Sequence, residues 1–244
     1  MKPFKTLIVA TFVLIMLASM ACQHPKPDAS KYWDISEQKY QNHQWTGLVE
    51  KGKIGMYFKR HSKIYCGEVM YNEYPMKNID TASFLVMGES GYAKDKQHVY
   101  YPLQQTCVDG ENWGCCYCSD YMTGADVSTF QFKGGTYGVD RYHVYFMGKV
   151  IKNTNPESFL IINACGDVFF GKDSHTVYNG REILIGADAP SFHYDSLNEE
   201  NYPSAGIYIF SDKKNSWAYR NGLLTVMRTG KTFQGPQSIL KIYK

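Results

Sequence analysis

The chain is 244 residues long, enough for one large or two small domains with a real core. Aromatic residues make up 15% of it, including 20 tyrosines, which favours strands over helices. The formal charge of +3 is scattered, and without Lys2 and Lys5 it falls to 24 basic against 23 acidic residues, which excludes the electrostatic footprint of a nucleic-acid binder.

The first element is a targeting segment. Lys2 and Lys5 form a positive head, and residues 6–18 form an apolar run too short for a comfortable membrane span. Ser19 and Ala21 fit cleavage before Cys22, so residues 1–21 read as a signal peptide. A cysteine at that point resembles a bacterial lipoprotein signal, in which the new N-terminal cysteine is lipidated. Ser19 stands where such signals usually carry Leu, with Leu17 two residues further back. Lipidation of Cys22 implies a membrane partner through the N-terminal lipid and a place in the bacterial cell envelope. Gln23 lacks the acidic character that favours inner-membrane retention, which points to the outer membrane. Residues 22–31 are polar and contain Pro25 and Pro27, as a tether would.

From residue 32 the chain reads as one β-repeat domain. The stretch YAKDKQHVYY, residues 92–101, is a hairpin: an Asp95 corner between two strand-like runs. The pattern returns as YGVDRYHVYF around Asp140 and as FGKDSHTVYN around Asp173. Asp212 carries a copy whose partner run, Ala218-Tyr219, comes two residues late, and a first copy has Arg60 in place of Asp. The anchors Ile64, Val99, Val144, Val177 and Ala218 define five units with a basic period of about 33 residues and two insertions. DTASF, DVSTF, NPESF, DAPSF and TGKTF, ending at Phe84, Phe130, Phe159, Phe192 and Phe233, fall between units or just past the last. Gly67, Gly148, Gly180 and Gly222 follow the tyrosine runs, and Asn179-Gly180 and Asn221-Gly222 predict two-residue hairpins with positive φ at both positions. The expectation is an all-β fold: three short antiparallel strands per unit, with the Ser-Phe ring docked between neighbours. A single unit cannot bury its own core, whereas an open stack of units can, and three strands are lean for a propeller blade.

These motifs resemble the DKNYY family of bacterial envelope proteins from Tyr57 to about Leu224, most specifically in units two to four. The resemblance implies a repeated β module, often carried on lipoproteins, and supplies no catalytic residues.

The second unit carries an insertion at about 102–122 that contains CVDGENWGCCYC, residues 107–118. Setting Cys22 aside leaves an even set, Cys66, Cys107, Cys115, Cys116, Cys118 and Cys165, which suits disulfides in an exported protein. Cys115 and Cys118 have C-x-x-C spacing, but a thiol-redox site wants a helix N-terminus that this chain does not offer. The loop has no histidine, so zinc is unprompted. Exposed aromatics outside the repeat, Trp113 and Tyr117, are the better binding candidates, whereas Tyr100, Tyr145 and Tyr178 sit at a fixed structural position. His98 and His143 also share a register, read as polar residues leaving a turn. The glycine-rich KGGTYG, residues 133–138, reads as a strand-edge turn, since no helix pattern follows it. Motifs of hydrolases, zinc peptidases and nucleotide-binding loops are missing. The reading is a non-enzymatic scaffold or binding module without a cofactor or metal, whose partner is an envelope protein or a glycan. Its rival is an enzyme or thiol-redox protein centred on residues 107–118.

Overall fold

The structure is a computed structural model, and it describes residues 34–67, 75–88, 90–102, 121–163, 169–198, 207–220, 223–227 and 232–234. Cys22, Trp113, Tyr117 and every cysteine except Cys66 lie outside them. The described residues form strands and turns with no helix. They build five sheets, one per repeat unit.

Unit one holds β1 (Ser36–Glu37), β3 (Gly52–Ile54), β4 (Tyr57–Arg60) and β5 (Lys63–Cys66). Unit two holds β2 (Trp45–Gly47), β6 (Leu85–Met87), β7 (Ala93–Lys94) and β8 (Val99–Tyr100). Units three and four are four-stranded antiparallel meanders. They comprise β9 (Gln131–Gly134), β10 (Tyr137–Val139), β11 (Val144–Phe146) and β12 (Lys149–Ile151), then β13 (Leu160–Asn163), β14 (Phe170–Lys172), β15 (Val177–Asn179) and β16 (Glu182–Ile183). Unit five runs β17 (His193–Asn198), β18 (Ile207–Ser211), β19 (Ser216–Arg220), β20 (Leu223–Val226) and β21 (Thr232–Gln234).

The unit therefore has four strands rather than three. The extra strand begins directly after the Ser-Phe landmark, which opens each sheet instead of merely linking two. The fifth unit needs a second correction. Phe210 pairs with Trp217 just as Gly138 pairs with Tyr145 and Gly171 with Tyr178. The true anchor is thus Ser216, and the corner after Asp212 has no extra residues. Sequence alignment on apolar runs points to Ala218 because Trp217 replaces the expected tyrosine. Thr232 and Phe233 of TGKTF lie in β21, which pairs with β20 of the same sheet.

The turn chemistry is mixed. Met147-Gly148 and Gly135-Thr136 are two-residue turns with positive φ at both positions. Asn179 is instead the last residue of β15, and only Gly180 has positive φ, which is the two-residue turn with glycine first. The Asn221-Gly222 turn falls outside the described residues.

The core is divided. Four clusters of buried side chains each lie between two consecutive units, and none among the described residues joins unit five to unit one. The sheets form an open stack. Each Ser-Phe ring sits at a joint between an aromatic of the preceding unit and one of its own. Phe84 lies 5.5 Å from Tyr57 and 5.6 Å from Tyr100. Phe130 lies 5.2 Å from Tyr92 and 5.9 Å from Tyr145. Phe159 lies 5.2 Å from Tyr137 and 6.4 Å from Tyr178. A Cβ on Gly138 would stand 2.4 Å from the Phe130 ring, and one on Gly171 2.4 Å from Phe159, so the ring requires glycine beneath it.

Candidate functional site

Each sheet has two ends. In units two to five the four-residue Asp corner marks one, and in unit one the two-residue turn His61-Ser62 stands there. The other two connections of the meander lie at the opposite end.

At the corner end, one aspartate organises everything near it. Asp95 Oδ1 accepts the N–H groups of Gln97 and His98, both at 2.7 Å. Its Oδ2 accepts the Tyr100 hydroxyl at 2.7 Å and the N–H of Asp80, in the linker that opens the sheet, at 2.9 Å. Asp140 makes the same four bonds, from Tyr142, His143, Tyr145 and Asp126. So does Asp173, from His175, Thr176, Tyr178 and Asn155. Asp212 accepts from Lys214, Asn215 and Asp188, and Trp217 stands where the tyrosine would be. Asp95, Asp140 and Asp173 are buried, as a fully bonded carboxylate can be. Burial works against the charge of Asp95 and Asp173, but the surrounding donors outweigh it and hold both below the ordinary carboxylate range. Burial first, and the aspartate second, push the Tyr100 and Tyr145 hydroxyls upward, so they remain donors.

The Ser-Phe landmark closes the circuit. Ser83 Oγ accepts the N–H of Lys96, Thr129 that of Arg141, Ser158 that of Ser174 and Ser191 that of Lys213. The residues four before the ring and one after the corner aspartate then pair. Lys96 meets Asp80 at 2.5 Å, Arg141 meets Asp126 at 2.5 Å, and Lys213 meets Asp188 at 2.9 Å. In unit four both partners are neutral, Asn155 and Ser174. The pair changes together. In unit one, where Arg60 stands for the aspartate, the N–H groups of His61 and Ser62 are accepted by the Glu50 carboxylate instead.

This circuit satisfies itself and leaves little for a ligand. His98 and His143 donate their backbone N–H to the aspartate, and their ring Nδ1 atoms lie 3.5 Å and 3.3 Å from the Tyr100 and Tyr145 hydroxyls. Among the described residues no three His, Cys, Asp or Glu side chains gather as metal ligands. Sequence reasoning had found the aspartates. It missed the serine and threonine acceptors, the tyrosine donors and the co-varying pairs, although these stand at fixed offsets in the aligned units, and it missed Glu50, which unit one alone carries.

The opposite end differs. There Tyr57 Oη donates to the Gly91 carbonyl at 3.0 Å, and Tyr92 Oη to Thr136 at 2.9 Å. Tyr137 Oη donates to Phe169 at 2.6 Å and to Gly180 at 3.1 Å, so both connections of unit four meet at this end. The Cys-rich insertion leaves from the same rim. Tyr121 bridges to Tyr100, and the Met122 N–H donates to Val99 at 2.7 Å, as Leu184 does to Val177 at 2.8 Å. The insertion thus replaces the short turn between third and fourth strands. Cys66 ends β5 at this rim, fully buried; Cys165 lies between β13 and β14 in sequence, outside the described residues.

No curated protein and no solved structure matches the chain. The family model described as the DKNYY family matches residues 110–235, beginning past the first two copies of the motif, and the chain belongs to the DKNYY family.

Proposed function

We propose that this chain is a non-enzymatic binding scaffold of the bacterial envelope, tethered through a lipid on Cys22 and presenting one rim of its stacked sheets to a partner protein or glycan. The observation that carries this reading is the division between the two rims. Every corner from unit two to unit five has the same length, and its aspartate accepts two N–H groups of the corner and one of the opening linker. The length variation gathers at the other end, where the connections at 67–75, 101–120, 164–169 and 199–206 all depart. In repeat proteins, insertions confined to one face mark the binding side, because the scaffold tolerates them and the loops carry recognition.

Within that rim, Trp113 and Tyr117 supply the aromatic surface. The six cysteines from Cys66 to Cys165 pair as three disulfides that pin the insertion to its neighbours. Cys66 lies on the rim from which the insertion leaves, and Cys165 lies in sequence between β13 and β14, whose connection starts from the same rim, which supports this pairing. Adjacent Cys115 and Cys116 each need a partner elsewhere, since a disulfide prefers Cα atoms about 5.5 Å apart.

The test replaces residues 103–120 with a two-residue Asn-Gly turn and compares both proteins by in-cell cross-linking. The expected result is a folded protein whose melting temperature falls with the loss of the three disulfides, and loss of the cross-linked partner. Retained capture sinks the binding-rim reading. Non-reducing peptide mapping reads the disulfides in the same preparations, and two free, low-pKa thiols at Cys115 and Cys118 would move the assignment to thiol-redox chemistry. Cys22→Ser should release the protein from the membrane fraction and remove its acyl mass.

A further inference from the structure

Every unit after the first carries an aromatic ring over one residue of its second strand. Phe130 lies over Gly138 and Phe159 over Gly171, while Phe192 stacks on Phe210 at 5.7 Å with the planes 10° apart. In unit two Phe84 and Ala93 share one buried cluster. Each ring belongs to the residue just before the opening strand of its sheet. In unit one that place holds Lys51, because β3 begins at Gly52.

The residue that should lie under the missing ring is Phe58. Tyr57, one residue earlier, faces unit two, as Tyr92 faces unit three. Side chains alternate along a strand, so Phe58 points the other way, out of the end of the stack. No earlier unit stands there to cover it. Phe58 is nevertheless 0% exposed, and it belongs to none of the four buried clusters of described residues. Tyr65, its cross-strand partner, stacks against it at 5.0 Å and shields one side of the ring. At the far end of the stack, Ile209 and its partner Ala218 point outward in the same way and are only partly buried. An end sheet does not close its own outer face, so another part of the chain lies on Phe58.

The described chain begins beside this place. Asp34 reaches Lys51 at 2.8 Å, and the Ser36 N–H donates to the Lys51 carbonyl at 3.0 Å. β1 then runs parallel to β3, with Ser36 opposite Gly52. The Lys51 ammonium first, and the Arg60 guanidinium after it, hold the Asp34 carboxyl below its ordinary range. Arg60 stands two residues from Phe58 in β4, on the same face. Trp33 is one Cα step, about 3.8 Å, before Asp34.

We infer that Trp33 folds over Phe58 and closes the first sheet, its indole standing where the later units have the Ser-Phe ring. An array of units needs such a cap, since its end faces otherwise expose the apolar side chains that the joints bury. An indole covers more area than a phenyl ring, which suits a position with no earlier unit behind it.

Hydroxyl-radical footprinting of the purified full chain, read residue by residue by mass spectrometry, tests the cap. The variants are Trp33→Ala, Trp33→Phe and Tyr32→Ala, and Phe210, buried at the far joint, is the internal control. The expected result is a protected Phe58 in wild type and in Trp33→Phe, several-fold faster oxidation of Phe58 and Tyr65 in Trp33→Ala, and an unchanged Phe210 throughout. A Phe58 that stays protected in Trp33→Ala overturns the inference, and so does one that Tyr32→Ala alone exposes. In wild type the Trp33 indole should also be oxidised several-fold more slowly than in the urea-unfolded chain, a reading that does not depend on how any variant folds. A Trp33 oxidised at the same rate in both states overturns the inference as well.

Discussion

A carboxylate that accepts four hydrogen bonds in a buried corner is worth more than an ordinary turn cap. Replacing Asp140 by Ala strands the N–H groups of Asp126, Tyr142 and His143 and the Tyr145 hydroxyl. The expected loss in urea unfolding is about 2–4 kcal/mol, above the ~1 kcal/mol typical of a lost cap. Tyr145→Phe should cost only about 1 kcal/mol, since one bond goes and the ring still packs. The aspartates were legible in the sequence because they recur before strand-like runs. Their full role was not, because a single side chain serving three backbone donors and a tyrosine emerges only once the linker folds over the corner.

The same residues set an acid limit. The Ser128 hydroxyl, followed by backbone and Arg141 bonds, holds Asp126 down at about 2, and Asp80, Asp95, Asp173 and Asp188 are also lowered. A carboxylate depressed in the folded state stabilises above its unfolded value, near 3.9, and loses that contribution as pH falls through the folded value. The urea midpoint should therefore be flat from neutral pH to about 5 and then fall steeply towards 2. A midpoint that rises on acidification would contradict the circuit.

At the scale of the element, the strand that opens each sheet was hidden for a physical reason. Sequence landmarks favour tyrosine runs, while β6 (Leu-Val-Met), β9 (Gln-Phe-Lys-Gly) and β13 (Leu-Ile-Ile-Asn) share no common motif and gain their identity from the ring that precedes them. That ring explains Gly138 and Gly171. Gly138→Ala drives a methyl to 2.4 Å from Phe130 and should cost about 1–3 kcal/mol. Unit two already has Ala93 at this position, so its neighbourhood has adjusted. The co-varying pairs lead to a second expectation. Asp126→Asn with Arg141→Ser copies unit four into unit three. Because the Arg141 side chain is half in solvent and Asn155 and Ser174 already fill these two places in unit four, the double variant should differ from wild type by less than about 1 kcal/mol, and a double-mutant cycle should show that the two changes are coupled.

For the whole molecule, the period and the number of units were readable from the sequence, but the order of layers was not. Stacking needs the tyrosine hydroxyls and Ser-Phe rings to reach the next unit, and sequence spacing does not reveal which way a side chain points. Among the described residues the stack is built from neighbour contacts, with one buried cluster at each of four joints. Such an array unfolds as one body only while every joint is strong enough to couple its neighbours. The joint between units three and four depends on Phe159, whose ring lies between Tyr137 and Tyr178, and on the two bonds of the Tyr137 hydroxyl. Phe159→Ala should cost about 3–5 kcal/mol, concentrated at this joint. Units one to three and units four and five should then unfold in separate steps. Calorimetry would show this as a van't Hoff enthalpy below the calorimetric one, and hydrogen exchange would lose protection first on one side of residue 159. A single transition, merely shifted to lower temperature, would mean that the stability of this stack is shared through its full length and not held joint by joint.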